Sequence, residues 1–197
     1  MSNTHDPAGD AAPHSHSSRW NIAALSLAAW GAGGSVYLSV GLGLKACPLC
    51  FYQRSFAIAA ALVLWMLLWI EGVRSPRACA VALPLVISGL GVAIFHVYLV
   101  QSGKLECPPA LFGWGDGPLQ SLAVFTVLTV ITLMGGRSAH QAAGGPRSPI
   151  RLAAVLVGAG SAWACIASAP PLPPVPKQPY DAIKQPFDMC RPSFTKV

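Results

Sequence analysis

The sequence predicts an all-α integral membrane protein, a four-helix transmembrane bundle followed by a fifth span. Two observations support this fold class. Of the 197 residues, 53% are hydrophobic and only 10% are charged, whereas a soluble domain usually carries about 25% charged residues. The hydrophobic residues are also gathered into five long runs that short polar segments separate. Lipid is therefore the expected solvent for most of the chain.

The five apolar runs are the predicted spans, since a helix needs roughly 17–25 residues to cross the hydrocarbon core. The first three runs reach that length, and the fourth is short but dense in Leu, Val, Ile and Phe. Glycine and serine dilute the fifth run, but small residues are common where membrane helices pack closely, so we retain it. The runs cover residues 20–43, 51–70, 78–100, 119–134 and 152–169.

The segments around these runs complete the predicted domain organisation. Residues 1–18 are polar and lack apolar periodicity, so we expect a disordered cytoplasmic tail. Residues 19–135 form the four-helix membrane domain, and residues 136–151 form a cytoplasmic loop. After the fifth helix, residues 152–169, a Pro-rich tail covers residues 170–197 on the opposite side of the membrane.

The distribution of cations predicts the orientation. The net charge of +6 is not gathered into a basic patch, so we expect no nucleic-acid partner. The cations instead lie singly between apolar runs, as the positive-inside rule produces. With a cytoplasmic N-terminus, the inner segments contain Arg19, Arg74, Arg77, Arg137, Arg147 and Arg151. The short outer loops contain only Lys45 and Lys104.

The six cysteines divide between the two sides in this topology. Cys47 and Cys50 lie outside, between the first two spans. Cys107 lies in the next outer loop, and Cys190 is also outside if the fifth run crosses. Parity therefore predicts two outer pairs, Cys47–Cys50 and Cys107–Cys190. The remaining two, at or within the membrane, are Cys79 and Cys165.

The pair in Cys47-Pro48-Leu49-Cys50 is the predicted redox site. It opens the second helix, where Pro48 suits the first helical position. The partial positive charge at a helix N-terminus favours a thiolate, and Lys45 adds a cation two residues upstream. Because the thiolate is the attacking species in disulfide exchange, this placement favours redox chemistry.

Two other interpretations of the pair remain open. A structural disulfide that closes so small a loop would add little stability. A metal site would need two more ligands nearby, and the other outer cysteines are single, so we expect no metal. A soft-metal membrane carrier is the contrasting function class, although the spans lack Met-rich or paired His and Cys positions.

Arg54 and His96 are the predicted cofactor-binding residues. Arg54 follows Cys50 by four positions, about one helical turn and ~6 Å deeper on the same face. It either extends to the membrane surface or holds the charge of an electron acceptor reduced at Cys50. His96 lies at a comparable depth near the outer end of the third span, either as a packing residue or as a proton donor to a reduced electron acceptor.

Residues 45–54, which read KACPLCFYQR, closely resemble the signature of the DsbB family of bacterial disulfide-bond formation proteins. The resemblance covers roughly residues 20–135. It implies a bacterial inner-membrane bundle with a bound quinone, ubiquinone or menaquinone, and a periplasmic thioredoxin-like (DsbA-like) dithiol partner. By similarity Cys47 and Cys50 are the quinone-coupled pair, with Cys50 nearest the quinone. Arg54 falls on the family's quinone-contacting arginine, and His96 lies close to a family histidine.

The chain departs from the family pattern in its second cysteine pair. Family members usually carry both cysteines in the loop between spans three and four, but residues 101–118 contain only Cys107. A crossing fifth span would let Cys190 supply the partner. The predicted function is then a quinone-dependent protein-disulfide oxidoreductase, in which a reduced partner protein attacks Cys107–Cys190 and electrons pass to Cys47–Cys50. A quinone reductase like vitamin K epoxide reductase is the closest alternative enzyme.

Overall fold

Five α-helices make up most of the computed structural model, which describes residues 14–113, 115–142, 149–181 and 183–194. The helices are α1 (His14–Val40), α2 (Pro48–Glu71), α3 (Ala78–Gln101), α4 (Gly117–Ala142) and α5 (Pro149–Ser168). Two short strands, β1 (Leu105–Glu106) and β2 (Arg191–Pro192), pair antiparallel. The predicted all-α class is confirmed.

The helices have the length and surface of membrane spans. In the described part of the chain, α1 to α4 each contain a stretch long and apolar enough to cross a membrane, and α5 contains a shorter apolar stretch, Leu152–Ser168. Large apolar side chains such as Trp65, Trp69 and Val130 point outward and are at least half exposed. An apolar exterior of this kind suits lipid rather than water.

Helix α3 is the centre of the bundle. It packs against α2, α4 and α5, while α1 packs against α2 and α4. Small and branched apolar side chains form the core, including Ala24, Ala60, Leu64, Ala82 and Leu128. Small residues let helix backbones approach closely, which is how membrane helices gain packing energy without a hydrophobic driving force.

Helix α5 runs parallel to α3. Gly158 lies against Ile87, since a Cβ atom added to this glycine would be 2.7 Å from the Ile87 Cβ. One turn later, a Cβ on Gly91 would be 2.6 Å from the Cβ of Ala162. The residue numbers of the two helices rise together along the contact, so α5 carries the chain toward the same end of the bundle as α3.

Several helix boundaries differ from the predicted spans, and α5 begins at Pro149. Helix α1 begins at His14 and α2 at Pro48, and α4 continues to Ala142. Residues 14–18, 136–142 and 149–151 are therefore helical, where we expected a disordered tail and a loop. The apolar run marks only the part of a helix that lipid surrounds, and backbone hydrogen bonding continues beyond it. The rest of both expectations, residues 1–13 and 143–148, falls outside the described residues.

Candidate redox site

The Cys47–Cys50 pair lies at the N-terminus of α2. Cys47 is the N-cap residue, and its sulfur accepts a hydrogen bond from the backbone N–H of Cys50 at 3.2 Å. Pro48 occupies the first turn of α2. Proline has no backbone N–H, and the N–H groups of a first turn have no acceptor within the helix, so no hydrogen bond is lost there. The two sulfur atoms are 2.7 Å apart, so the helix start holds both thiols ready to close a disulfide.

The environment of Cys47 favours its thiolate. The hydrogen bond from the Cys50 thiol is the main cause of a lowered pKa at Cys47, and the hydrogen bond and charge of His96 act in the same direction. Burial opposes them without reversing the shift. Cys47 is therefore the more readily ionised thiol at this helix start, in the direction that the helix N-terminus alone suggests.

The second pair is the disulfide Cys107–Cys190, which joins residues separated by 83 positions. The predicted pairing is confirmed. Cys107 directly follows β1 and Cys190 directly precedes β2, so the antiparallel strand pairing brings the two residues together. Cys107 is partly exposed, whereas Cys190 is buried with only 9% of its surface accessible. Cys107 is thus the more exposed residue of the pair.

His96 lies between the two cysteine pairs. Its side chain is fully buried, and its Nε2 atom is 3.8 Å from the Cys47 sulfur and 3.6 Å from the Cys107 sulfur. The other ring nitrogen, Nδ1, is 3.4 Å from the Gln53 amide nitrogen. Gln53, itself buried on α2, orients the imidazole toward the sulfurs.

Three sulfur atoms and this histidine form one compact cluster. The donor atoms of Cys47, Cys50, His96 and Cys190 all lie within 4.8 Å of one another. We expected no metal here because the other outer cysteines are single in sequence, and the fold nevertheless brings a histidine from α3 and a cysteine from the tail beside the first pair. Such a donor set suits a soft metal, although Cys190 is already bonded to Cys107.

A cavity of about 880 Å³ lies beside the site, and Cys50, Cys107 and Cys190 all contribute to its lining. It lies between α1, α2 and α4, and its wall is mainly apolar, with Cys50 and Arg54 among its polar lining residues. The Arg54 guanidinium donates to the Ser35 hydroxyl at 3.0 Å, to the Ser35 carbonyl at 2.8 Å and to the Ser39 hydroxyl at 2.6 Å. Helix α1 therefore fixes the cation at the cavity wall. His96 is not among the described residues that line this cavity.

The lining of this cavity suits an apolar molecule. Its volume is within the range of small-molecule sites, which are mostly apolar with a few placed polar groups. The Cys50 thiol supplies a reductant at the wall, and the Arg54 cation supplies positive charge for an anionic reduced form. The residues present thus match the chemistry of a quinone.

The site also contains residues that the sequence analysis did not single out. Gln53 lies within the signature at residues 45–54, and a polar amide in an otherwise apolar helix could have indicated a site residue. Ser35 and Ser39 gave no signal, since their role depends on the packing of α1 against α2. Two ion pairs around the tail were equally hidden: Lys45–Asp188 and Glu106–Arg191.

The remaining two cysteines lie in different places. Cys79 is at the opposite end of the bundle, where its thiol donates to the Asn21 side-chain oxygen at 3.1 Å. Cys165 packs against the apolar cluster that contains Cys47 and Cys190, closer to the site than its position in the fifth span suggested. Both are free thiols.

Comparison with known proteins agrees with this site. The family model described as "Disulfide bond formation protein DsbB" matches residues 17–143. A "Probable disulfide formation protein" of Chlamydia trachomatis serovar D is 29% identical over 114 residues, which are 53% of this chain and 82% of the relative. A protein of the same name from Chlamydia caviae is 26% identical over 112 residues, 52% of this chain and 80% of the relative. No solved structure matches at a significant level. The family match covers most of the chain. The two cysteine pairs of the chain lie together in one site, and its helices suit a membrane. The chain therefore belongs to the DsbB family, a group of multi-pass membrane thiol–disulfide oxidoreductases that act in disulfide bond formation.

Proposed function

We propose that this protein oxidises the dithiol of a periplasmic thioredoxin-like protein, similar to DsbA, and delivers the electrons to a quinone. One observation carries the proposal. The sulfurs of Cys190, Cys47 and Cys50 lie within 4.8 Å of one another, and Cys50 also lines the large apolar cavity. The sulfurs thus form a continuous path from the tail disulfide to a site that suits a lipid-soluble acceptor.

The relay begins at Cys107, the more exposed residue of the second pair. A thiolate of the partner protein attacks Cys107, which breaks the Cys107–Cys190 bond and releases Cys190 as a thiolate. Cys190 then attacks Cys47 of the oxidised first pair, forming Cys47–Cys190 and releasing Cys50 as a thiolate at the cavity wall. The partner's second thiol resolves the mixed disulfide, and Cys107 becomes a free thiol.

The cycle closes with a second exchange among the same sulfurs. The Cys107 thiolate attacks Cys190, which restores the Cys107–Cys190 disulfide and leaves Cys47 and Cys50 as a dithiol. When bound, the quinone accepts the two electrons and two protons that this dithiol loses as its disulfide re-forms. The sum is one partner disulfide and one quinol for each partner dithiol and quinone.

We assign His96 and Arg54 to different parts of this chemistry. His96 contacts the sulfurs of Cys47 and Cys107, so it is placed to accept the proton of a thiol that becomes an attacking thiolate. Arg54 lines the cavity together with Cys50, and its bonds to α1 fix it before any charge develops. A preorganised cation stabilises a developing anion without reorganisation during the reaction.

Quinol formation by the purified protein tests this function. A reduced thioredoxin-like dithiol protein and a short-chain ubiquinone analogue serve as substrates, and quinone absorbance is followed. We expect steady turnover that Cys47→Ala and Cys50→Ala each abolish, while Cys79→Ala, at the far end of the bundle, retains it. Turnover in either variant of the first pair, or none in the unaltered protein, would contradict the proposal.

A soft-metal carrier is a second candidate function, favoured by the cluster of Cys47, Cys50, His96 and Cys190. A carrier would bind Cu⁺ or Zn²⁺ through thiolates when both pairs are reduced. Metal analysis of the reduced protein separates the two functions. Stoichiometric metal without quinol formation would support the carrier, and quinol formation at full rate in the presence of a chelator would support the oxidase.

A further inference from the structure

The tail that carries Cys190 has two ion pairs to the bundle, one on each side of this cysteine. Asp188, two residues before Cys190, pairs with Lys45, two residues before Cys47. Arg191, directly after Cys190, pairs with Glu106, directly before Cys107. Each ion pair thus joins the Cys190 segment to a segment that bears one of its two exchange partners.

We propose that these four residues, the tail clamp, are positioning residues that keep Cys190 at the redox site whenever its bond to Cys107 is open. The proposal rests on the function proposed above, because only a relay opens this disulfide in each cycle. Lys45 and Asp188 hold Cys190 near Cys47, and Glu106 and Arg191 hold it near Cys107. The clamp therefore serves both exchange steps.

The Lys45–Asp188 half combines side-chain and backbone contacts. The Lys45 ammonium is 2.8 Å from an Asp188 carboxylate oxygen, and the Lys45 backbone N–H donates to the Asp188 carbonyl at 2.8 Å. The hydrogen bond from Lys45 lowers the pKa of Asp188, so its carboxylate is ionised at neutral pH. An exposed ion pair alone contributes little free energy, but here the backbone hydrogen bond also fixes the position of the Asp188 segment relative to Lys45.

The Glu106–Arg191 half is more extensively built. The Arg191 Nε atom donates to the Glu106 carboxylate at 2.5 Å, within the antiparallel register that pairs the two residues. The guanidinium carbon lies 3.8 Å from the Tyr180 ring centre and 4.6 Å from that of Phe187. Tyr180 in turn donates its hydroxyl to the Pro192 carbonyl at 2.8 Å. Stacking and a charge-assisted bond together fix the chain beside Cys190.

The relay needs such contacts because the tail is long. A segment of 21 residues separates Cys190 from the end of α5 at Ser168. If the disulfide were the tail's only attachment, its opening would leave Cys190 on a long tether, with an effective concentration in the millimolar range. A thiol held in reacting geometry reaches far higher effective concentrations, about 10⁵ M or more in well-oriented intramolecular reactions.

The test measures this effective concentration directly, in full-length protein that retains only Cys47 and Cys190, with the other four cysteines changed to alanine. The protein in detergent is equilibrated with mixtures of reduced and oxidised glutathione, and the fraction of Cys47–Cys190 disulfide is read by alkylation and mass spectrometry. No quinone or partner protein is present. A failure of the clamp is therefore distinguishable from a failure of the proposed function.

We expect Asp188→Ala to lower the effective concentration about threefold, in line with an exposed ion pair. Glu106→Ala should lower it about tenfold, in line with a charge-assisted bond to a stacked arginine. Lys184→Ala is the matched control, since it removes an exposed ion pair with Asp181 in the same tail, and it should change nothing. The melting temperature of the bundle should stay the same in all three variants. If the ion pairs served only to stabilise the fold, Asp188→Ala and Glu106→Ala would lower it.

Exchanging the charges provides the decisive comparison. Lys45→Asp combined with Asp188→Lys, and Glu106→Arg combined with Arg191→Glu, each rebuild an ion pair with reversed polarity. We expect each double variant to recover part of the lost effective concentration. Unchanged values in Asp188→Ala and Glu106→Ala, or charge exchanges that recover nothing, would overturn the proposal.

Discussion

Cys47 depends on Cys50 for its reactivity, and this dependence can be measured one atom at a time. The Cys50 thiol is the main cause of the lowered Cys47 pKa. Cys50→Ala removes the donor, so the Cys47 pKa should rise toward the ordinary value of about 8.5. Cys50→Ser retains a hydroxyl donor and should keep the Cys47 pKa lower than in the alanine variant.

Alkylation of Cys47 across a pH series, followed by peptide mass spectrometry, checks this order. A lowered pKa means that the reactive thiolate persists as the pH falls, so the alkylation midpoint should lie lowest in the unaltered dithiol protein. The serine variant should come next and the alanine variant last. Equal midpoints for the serine and alanine variants would show that the Cys50 hydrogen bond is not the cause.

Arg54 should act on quinone rather than on the partner protein. Arg54→Ala removes a cation at the cavity wall, and loss of a charged hydrogen-bonding group typically costs about 1.5–3 kcal/mol, so we expect the KM for quinone to rise roughly tenfold or more. The KM for the dithiol partner should stay close to its original value. Arg54→Lys keeps the charge but loses the bonds to Ser35 and Ser39, and should be intermediate. Equal changes in both KM values would indicate a general packing role.

Local patterns made some of these residues predictable and left others hidden. Cys47, Cys50 and Arg54 lie within the first two turns of α2 and share its signature, so spacing alone singled them out. The Cys107–Cys190 pair followed from parity and topology. Gln53 was visible only as a buried polar residue, and the partners of Lys45 and Glu106 lie more than 80 residues away in the tail. No local pattern encodes contacts of that range.

At the scale of elements, α3 and α5 approach each other closely at Gly158. An added Cβ at Gly158 would meet the Pro84 carbonyl oxygen at 2.8 Å and the Ile87 Cβ at 2.7 Å. Gly158→Ala should therefore push α5 away from α3, at a cost of about 1–3 kcal/mol for overpacking. Thermal unfolding in detergent should show a lower melting temperature.

Gly160→Ala is the matched control, since nothing lies within 4 Å of the position of its added Cβ. Alanine is the better helix former by up to about 1 kcal/mol, so this variant should be neutral or slightly more stable. A similar melting temperature for both variants would mean that α5 does not pack on α3 as described. The small residues of the fifth apolar run thus allow α5 to pack closely on α3. From composition alone, the same residues could equally indicate a segment too weakly apolar to span a membrane.

At the scale of the whole molecule, hydropathy predicted the helices and their order, and the cysteine count predicted which ends would meet. Because α5 runs parallel to α3, the tail places Cys190 beside Cys107, which follows α3. This agrees with the expectation that a fifth helix would return the chain to the side of the bundle where Cys107 lies. The exact helix ends were less predictable, because the hydrophobic pattern reports lipid contact rather than hydrogen bonding. The cytoplasmic and periplasmic assignment of the two ends remains a prediction from the charges.

The central claim is that electrons from a protein dithiol pass through the Cys107–Cys190 pair, and so through a tail residue, before they reach Cys47 and Cys50. Quinol formation by the Cys190→Ala variant tests it most directly, with either a reduced thioredoxin-like protein or dithiothreitol as the electron source. We expect protein-driven turnover to be abolished, while dithiothreitol, which is small enough to reduce Cys47–Cys50 directly, still supports quinol formation. Protein-driven turnover at the unaltered rate in Cys190→Ala would contradict the account.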